Sequence, residues 1–262
     1  MRVHHLNCGS LAEIEPVDGD GAPMRAVCHC LLIETDSDGL VLVESGIGTY
    51  DIAHPAETLG EEWTAFAAPV LDVEETAVRQ VARLGYDPAD VRHVALTHLH
   101  QDHAGGLRDF PRARVHVRAA ELDATPRDNP QLAHGPDWVT YADGGETWFG
   151  FAGVRGLEGV SADVLMVPLG GHSPGHAGVA VNDGGRWLVH AGDAYFHHAE
   201  IDRPEPRTHP LMELVQANAE TDRDLRLANV DRLRTLVLAN ALDTISAHDP
   251  WQIQPHVVAS GA

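Results

Sequence analysis

The stretch Thr97-His98-Leu99-His100-Gln101-Asp102-His103-Ala104-Gly105-Gly106 decides how the chain is read. It packs three imidazoles and a carboxylate into six residues. No single helix face presents them all, because His98 and Asp102 share a face while His100 points away. A strand fits no better, since Asp102 and His103 are neighbours and would face opposite sides. The segment therefore reads as a loop wrapped around a central object. A metal is the natural candidate, because imidazole and carboxylate suit zinc, iron or manganese. Apolar residues 91–96 precede the loop and read as a strand. Gly105 and Gly106 allow a tight exit. The ligand candidates thus sit at a strand end, on a loop held by rigid structure.

The same event recurs along the chain. Residues 164–167, 187–190 and 244–246 read as short apolar strands, each followed at once by His or Asp: His172, Asp193 and His248. Earlier, residues 27–33 read as a buried strand and residues 40–43 as the next, ending at Glu44-Ser45-Gly46. Cys28 and Cys30 point the same way from the first of these and His29 the other, so this triplet reads as structural. Residues 49–72 read as an irregular surface excursion. Asp72 and Glu75 resemble a capping box opening a helix to about Leu84, which Gly85 stops. Residues 114–117 form a strand and 119–125 a short helix. Residues 126–160 carry Trp138, Tyr141, Trp148, Phe149 and Phe151 among prolines and glycines, and read as a long aromatic loop, a lid or binding wall. Residues 178–181 and 187–190 pair through an Asn182–Gly185 turn. A helical pattern covers 211–240, with Leu225, Val230, Leu233, Leu236 and Val237 as its buried stripe. No Pro/Gly/Ser-rich linker interrupts the chain, so residues 1–262 read as one domain.

Composition narrows the function. The chain has 262 residues, 44% of them apolar, enough for a substantial core. Its net charge is −21, and its basic residues are all arginine. Nucleic acid and anionic membrane both demand basic surface and are excluded as partners. A small molecule is the expected partner, with a homodimer left open. Three cysteines are too few, and Cys28 and Cys30 too close, for a disulfide scaffold. Met1-Arg2-Val3-His4-His5 leads into no apolar signal region, and no apolar run reaches membrane-spanning length, so the expected location is cytoplasmic.

Taken together, His98-x-His100-x-Asp102-His103, Gly171-His172-Ser173-Pro174-Gly175-His176, Gly192-Asp193 and His248 resemble the motifs of the metallo-β-lactamase fold superfamily over about residues 27–250. The resemblance implies an α/β (α+β) four-layer αβ/βα sandwich with two divalent metal ions, expected as Zn2+ with Fe or Mn as alternatives. His98, His100 and His172 would hold one ion. Asp102, His103 and His248 would hold the other, with Asp193 bridging and His176 supporting. The family often has a D-T-G-like motif where this chain has Glu44-Ser45-Gly46, so Glu44 is the expected orienting residue in an altered setting.

The motif texture is closest to N-acyl-homoserine-lactone lactonases. That implies a hydrolase using a metal-bridging hydroxide to open a lactone or small ester. Asp102 would shuttle the proton, Tyr195 would donate to the oxyanion, His197 and His198 would line the groove, and residues 126–160 would wall an acyl chain. A glyoxalase II-like thioesterase is the runner-up. From another class, a mononuclear iron oxygenase or a non-catalytic metal-binding module is the alternative.

Overall fold

The computed structural model of the chain describes residues 1–259, apart from Asp18, Asp20 and the side chains of residues 257–259. Its strands form two six-stranded sheets. The first runs, side by side, β1 (Arg2–Ile14), β2 (Met24–Glu34), β3 (Leu40–Val43), β4 (Val91–Ala95), β5 (Arg114–Arg118) and β6 (Asp137–Tyr141). The second has β7 (Glu146–Trp148) at one edge, then β8 (Phe151–Gly156), β9 (Val164–Pro168), β10 (Ala177–Asp183), β11 (Arg186–His190) and β12 (Asp243–Ile245). Both sheets are mixed: β3 to β6 and the β11–β12 pair are parallel, the other pairings antiparallel. The helices are α1 (Thr49–Ala53), α2 (Pro55–Thr58), α3 (Glu61–Ala67), α4 (Ala77–Arg83), α5 (Gln101–Ala104), α6 (Ala119–Ala124), α7 (Pro210–Ala219), α8 (Arg223–Leu238) and α9 (Pro250–Ala259).

Strand alternation builds the layers. Leu31 and Ile33 of β2 and Val41 and Val43 of β3 pack against Val164, Met166, Val179 and Val181 of the second sheet. Their neighbours Cys30, Leu32, Leu40 and Leu42 face outward onto Ala77 and Val81 of α4. On the far side, Ala180 and Val189 pack on Val230 and Leu233 of α8. The order is helix, sheet, sheet, helix, with apolar side chains on both faces of each sheet, as strands buried on two sides require.

Several expected elements are replaced. Residues 49–72 hold α1, α2 and α3, too short for a helical period to show in sequence. Asp72 accepts from the Glu74 N–H at 2.9 Å but caps only a 3₁₀ turn, and α4 starts after Thr76. Glu75 leaves the expected capping box to accept from Ser10, N–H at 2.6 Å and hydroxyl at 3.0 Å. The pattern over 211–240 is two helices. The break is set from outside, because the N–H groups of Thr221 and Asp222 both donate to the Gly171 carbonyl, at 2.8 and 2.9 Å. Leu225, expected in the stripe, is exposed.

The aromatic region 126–160 is not a loop: it holds β6, β7 and β8, at the ends of both sheets. Trp148 stacks edge-on to Trp187, and Tyr141 bonds through its hydroxyl to His116 Nδ1 at 2.7 Å. Trp138, Tyr141, Trp148 and Phe151 pack on the sheets, Phe149 is exposed, and none of the five lines the cavity at the strand ends.

Candidate metal centre

The loops that leave β3, β4, β9, β11 and β12 open on one edge of the sandwich. The β4 loop begins extended and then closes into α5, where the His103 N–H donates to the His100 carbonyl at 3.0 Å. That single turn aims His98, His100, Asp102 and His103 inward, a job neither a whole helix nor a strand could do.

Asp193 sits at the centre of the cluster, 3% exposed. Its Oδ2 lies 3.4 Å from His172 Nε2 and 3.7 Å from His98 Nε2. His100 Nδ1 is 3.0 Å from His98 Nε2 and 3.1 Å from His172 Nε2. Asp193 Oδ1 faces the other way, 3.2 Å from His248 Nε2 and 3.4 Å from His103 Nε2. Asp102 stands beyond, 3.7 Å from His248 Nε2 and 3.8 Å from His103 Nε2. Donor atoms around one tetrahedral ion with bonds of about 2.05 Å are about 3.3 Å apart, so both halves have the spacing of a metal shell. His103 Nε2 and Asp193 Oδ1 are also buried with no hydrogen-bond partner among the described residues. A buried polar atom left unpaired costs about 1–3 kcal/mol. Two such atoms aimed at one point suit a cation there, and the donor set fits a pair of divalent ions.

Electrostatics agree. Burial drives His98 well below its usual range and His172 down to about 3, leaving both neutral with a free lone pair. Burial also opposes charge on His103 and His248, yet Asp193 first, with Glu44 and Asp102 around His103 and Asp102 beside His248, holds both above the usual value. Burial disfavours charge on Asp193, but His248, His103, His172 and His98 outweigh it and keep the carboxylate ionised. Asp193 thus favours a positive charge on the side of His103 and His248, where a bound cation would stand in for their protons.

Supporting bonds fix each ring. Glu44, in a left-handed conformation with φ of 62°, accepts from the Thr97 N–H at 2.8 Å and faces His103 Nδ1 at 3.2 Å. The longer carboxylate thus still reaches the histidine from the altered motif. His176 bonds through Nδ1 to the Leu169 carbonyl at 2.9 Å and accepts the Asp193 N–H on Nε2 at 3.0 Å. Both its nitrogens are used, so it orients Asp193 and offers no lone pair to a metal. His248 Nδ1 is held by the Val27 carbonyl at 2.8 Å. Gly192 has a φ of 53°, and a Cβ there would lie 2.5 Å from Thr97 Oγ1 and 2.7 Å from His176 Nε2. Only glycine lets the chain turn here and deliver Asp193.

Two supporting residues escaped the sequence reading. Gln216 on α7 meets His172 Nδ1 through Oε1 at 2.7 Å and donates from Nε2 to the Asp193 carbonyl at 2.7 Å. Glu121 on α6 ties two loops together: it accepts from the Leu99 N–H at 3.0 Å, the Ser173 hydroxyl at 2.6 Å and the Gly175 N–H at 3.0 Å. A Glu in the first turn of a short helix is the one sequence signal, and its burial appears only in the structure.

Tyr195 corrects an expectation. It is fully buried, and its hydroxyl bonds to Thr244 Oγ1 at 2.8 Å and to Gln252. The next residue, Phe196, faces the cluster instead, its ring centroid 5.4 Å from that of His248 and 6.1 Å from that of His172. His197 and His198 do not line the groove either. His197 Nδ1 caps a turn by accepting the Ala199 N–H at 3.0 Å, and His198 Nδ1 pairs with Asp249 at 2.8 Å. The cavity over the cluster, about 270 Å³, is walled by Leu11 and Ile14 of β1, Phe66 of α3, and Leu211, Met212 and Val215 of α7.

Comparison with known proteins agrees with this picture. The family model described as the metallo-beta-lactamase superfamily matches residues 24–236. The Mycobacterium tuberculosis protein named Probable metallo-hydrolase Rv2300c is 41% identical over 77% of the chain, which spans 65% of that relative's own length. The N-acyl homoserine lactonase AttM of Agrobacterium fabrum is 30% identical over 95% of the chain and 94% of its own. A solved N-acyl homoserine lactone hydrolase, with N-hexanoyl-L-homoserine at its catalytic metal centre, superposes with a TM-score of 0.69 at 21% identity over 97% of this chain and 95% of that one. With its two sheets, its strand-end histidines and this match over most of its length, the chain belongs to the metallo-beta-lactamase superfamily.

Proposed function

We propose that the chain is a hydrolase that holds two divalent metal ions and opens a lactone or small ester. The observation that carries this reading is the split of Asp193: one carboxylate oxygen faces His98 and His172, the other His103 and His248. His98, His100 and His172 form one set of ligands, and Asp102, His103 and His248 the other. Zinc suits these nitrogen and oxygen donors, as do iron and manganese. When bound, such ions bring a water's pKa to about 7 and polarise a carbonyl.

The chain's own groups supply the rest. The apolar walls bury the acyl part of the substrate and exclude water from the reacting carbonyl. Water's oxygen bonds to the acyl carbon, the acyl C–O bond breaks, and the ring opens to a hydroxy acid. Asp102, which lines the cavity beside His248, would pass the proton to the departing oxygen. Phe196 brings no hydroxyl, and with Tyr195 turned away no tyrosine among the described residues lines the cavity. No arginine among them lines it either. An anionic thioester such as one built on glutathione would find no arginine there to hold its remote carboxylates, whereas an uncharged N-acyl lactone, the substrate named for the AttM relatives, needs none.

The test is a panel of an N-acyl homoserine lactone, a glutathione thioester and a cephalosporin offered to the metal-loaded protein. Selective lactone opening is expected. Preferential thioester turnover would overturn the substrate class.

A further inference from the structure

Cys28 has no part in the chemistry described so far. It is buried and unbridged, like Cys8 and Cys30. Ala26, Cys28, Cys30 and Leu32 share one face of β2, but that face is covered differently along its length. Cys30 and Leu32 lie in the core under α4, while Ala26 and Cys28 lie with Phe196 and Met212, next to the metal cluster. The cause is local. The Val27 carbonyl holds His248 Nδ1 at 2.8 Å, and the Val27 N–H reaches the His248 carbonyl at 3.4 Å. The residue that follows Val27 is thereby set beside the His248 ring. Its Sγ forms a group with donor atoms of Asp102 and His248, all within 4.8 Å of one another. Sulfur and nitrogen or oxygen donors on one zinc ion are about 3.6 Å apart when adjacent and about 4.3 Å apart when opposed in a five-coordinate shell. The unpartnered His103 Nε2 and Asp193 Oδ1 border the same position.

We propose that Cys28 supplies a thiolate to the second metal position, alongside Asp102, His103 and His248. The inference rests on the metal-centre reading above. The S–H proton leaves to solvent as the sulfur–metal bond forms, so loading releases one more proton than it would without the thiol. A soft sulfur donor would also bias this position toward zinc and away from manganese.

Cobalt(II) loading tests it. Wild-type protein holding two cobalt ions should show a near-ultraviolet sulfur-to-cobalt charge-transfer band. Cys28→Ser should lose that band and keep the visible bands of the histidine-bound ion, while Cys8→Ser and Cys30→Ser should retain it. Release of the more weakly held ion to chelator should rise by about tenfold or more in Cys28→Ser. A two-cobalt wild-type protein without the band, or a band that survives Cys28→Ser, overturns the proposal and leaves the metal centre standing. A wild-type protein that takes up no cobalt overturns both. Should Cys28→Ser fail to fold, X-ray absorption on zinc-loaded wild-type protein decides: a sulfur at about 2.3 Å is expected, and a shell of nitrogen and oxygen alone refutes it.

Discussion

Glu44 shows how much rests on one buried side chain. Its carboxylate serves the Thr97 N–H and His103 Nδ1 at once. Glu44→Ala leaves both buried donors unpaired, at a cost of about 1–3 kcal/mol, and frees the His103 ring. Metal affinity at the second position should drop by about 10–100-fold, measured by chelator competition; unchanged affinity would mean the ring is held by packing alone. Tyr195 is the opposite case. Tyr195→Phe should cost about 1 kcal/mol of stability for its bonds to Thr244 and Gln252 and leave turnover intact. A collapse in turnover would place the hydroxyl in the chemistry. Glu200 carries a pH prediction. Burial pushes its carboxyl from 4.5 up to about 7, even though it accepts the Phe196 and His197 N–H groups. The folded chain then keeps a proton that the unfolded chain has lost, so stability falls as pH rises from about 4.5 through about 7. Glu200→Gln should flatten that slope in denaturant titrations across the same window. An unaltered slope would assign it to another group.

At the scale of elements, much was legible because each signal was local. Residues 40–43 alternate between two apolar faces and form β3 as read. The histidine motif declared a strand-end loop through spacing that no helix or strand can present. What was not legible acts across distance. The break between α7 and α8 is set by Gly171, fifty residues upstream, together with Asp222, which caps α8 by accepting the Leu225 N–H at 3.0 Å; the cap is local, but the Gly171 contact leaves no mark on the helical pattern. The strands in 126–160, β6 and β7 at sheet edges and β8 beside one, are short and separated by turn residues, so they look like loop. Gln216 is a single polar residue in a helix, and only the fold brings it to His172. That contact predicts that Gln216→Leu weakens metal at the first position by about 10–100-fold while far-ultraviolet circular dichroism stays native. Equal loss at both positions would point to general loosening of α7 instead.

For the whole molecule, the proposed substrate is tied to the shape of the cavity. Its apolar wall comes from β1, α3 and α7 rather than from the region 126–160. Each methylene buried there is worth about 0.8 kcal/mol, or about fourfold in KM, until the space of about 270 Å³ is filled. Lactones of increasing acyl length should show KM falling and then levelling off; no dependence on length would place the acyl chain outside the cavity. The central claim is that two metal ions work together across Asp193. The direct measurement is metal content and lactone ring-opening on the same samples of wild-type protein and His103→Ala. Two ions per wild-type chain are expected, with one ion and nearly all turnover lost in the variant. Full turnover by a His103→Ala protein holding one ion would contradict the two-metal account.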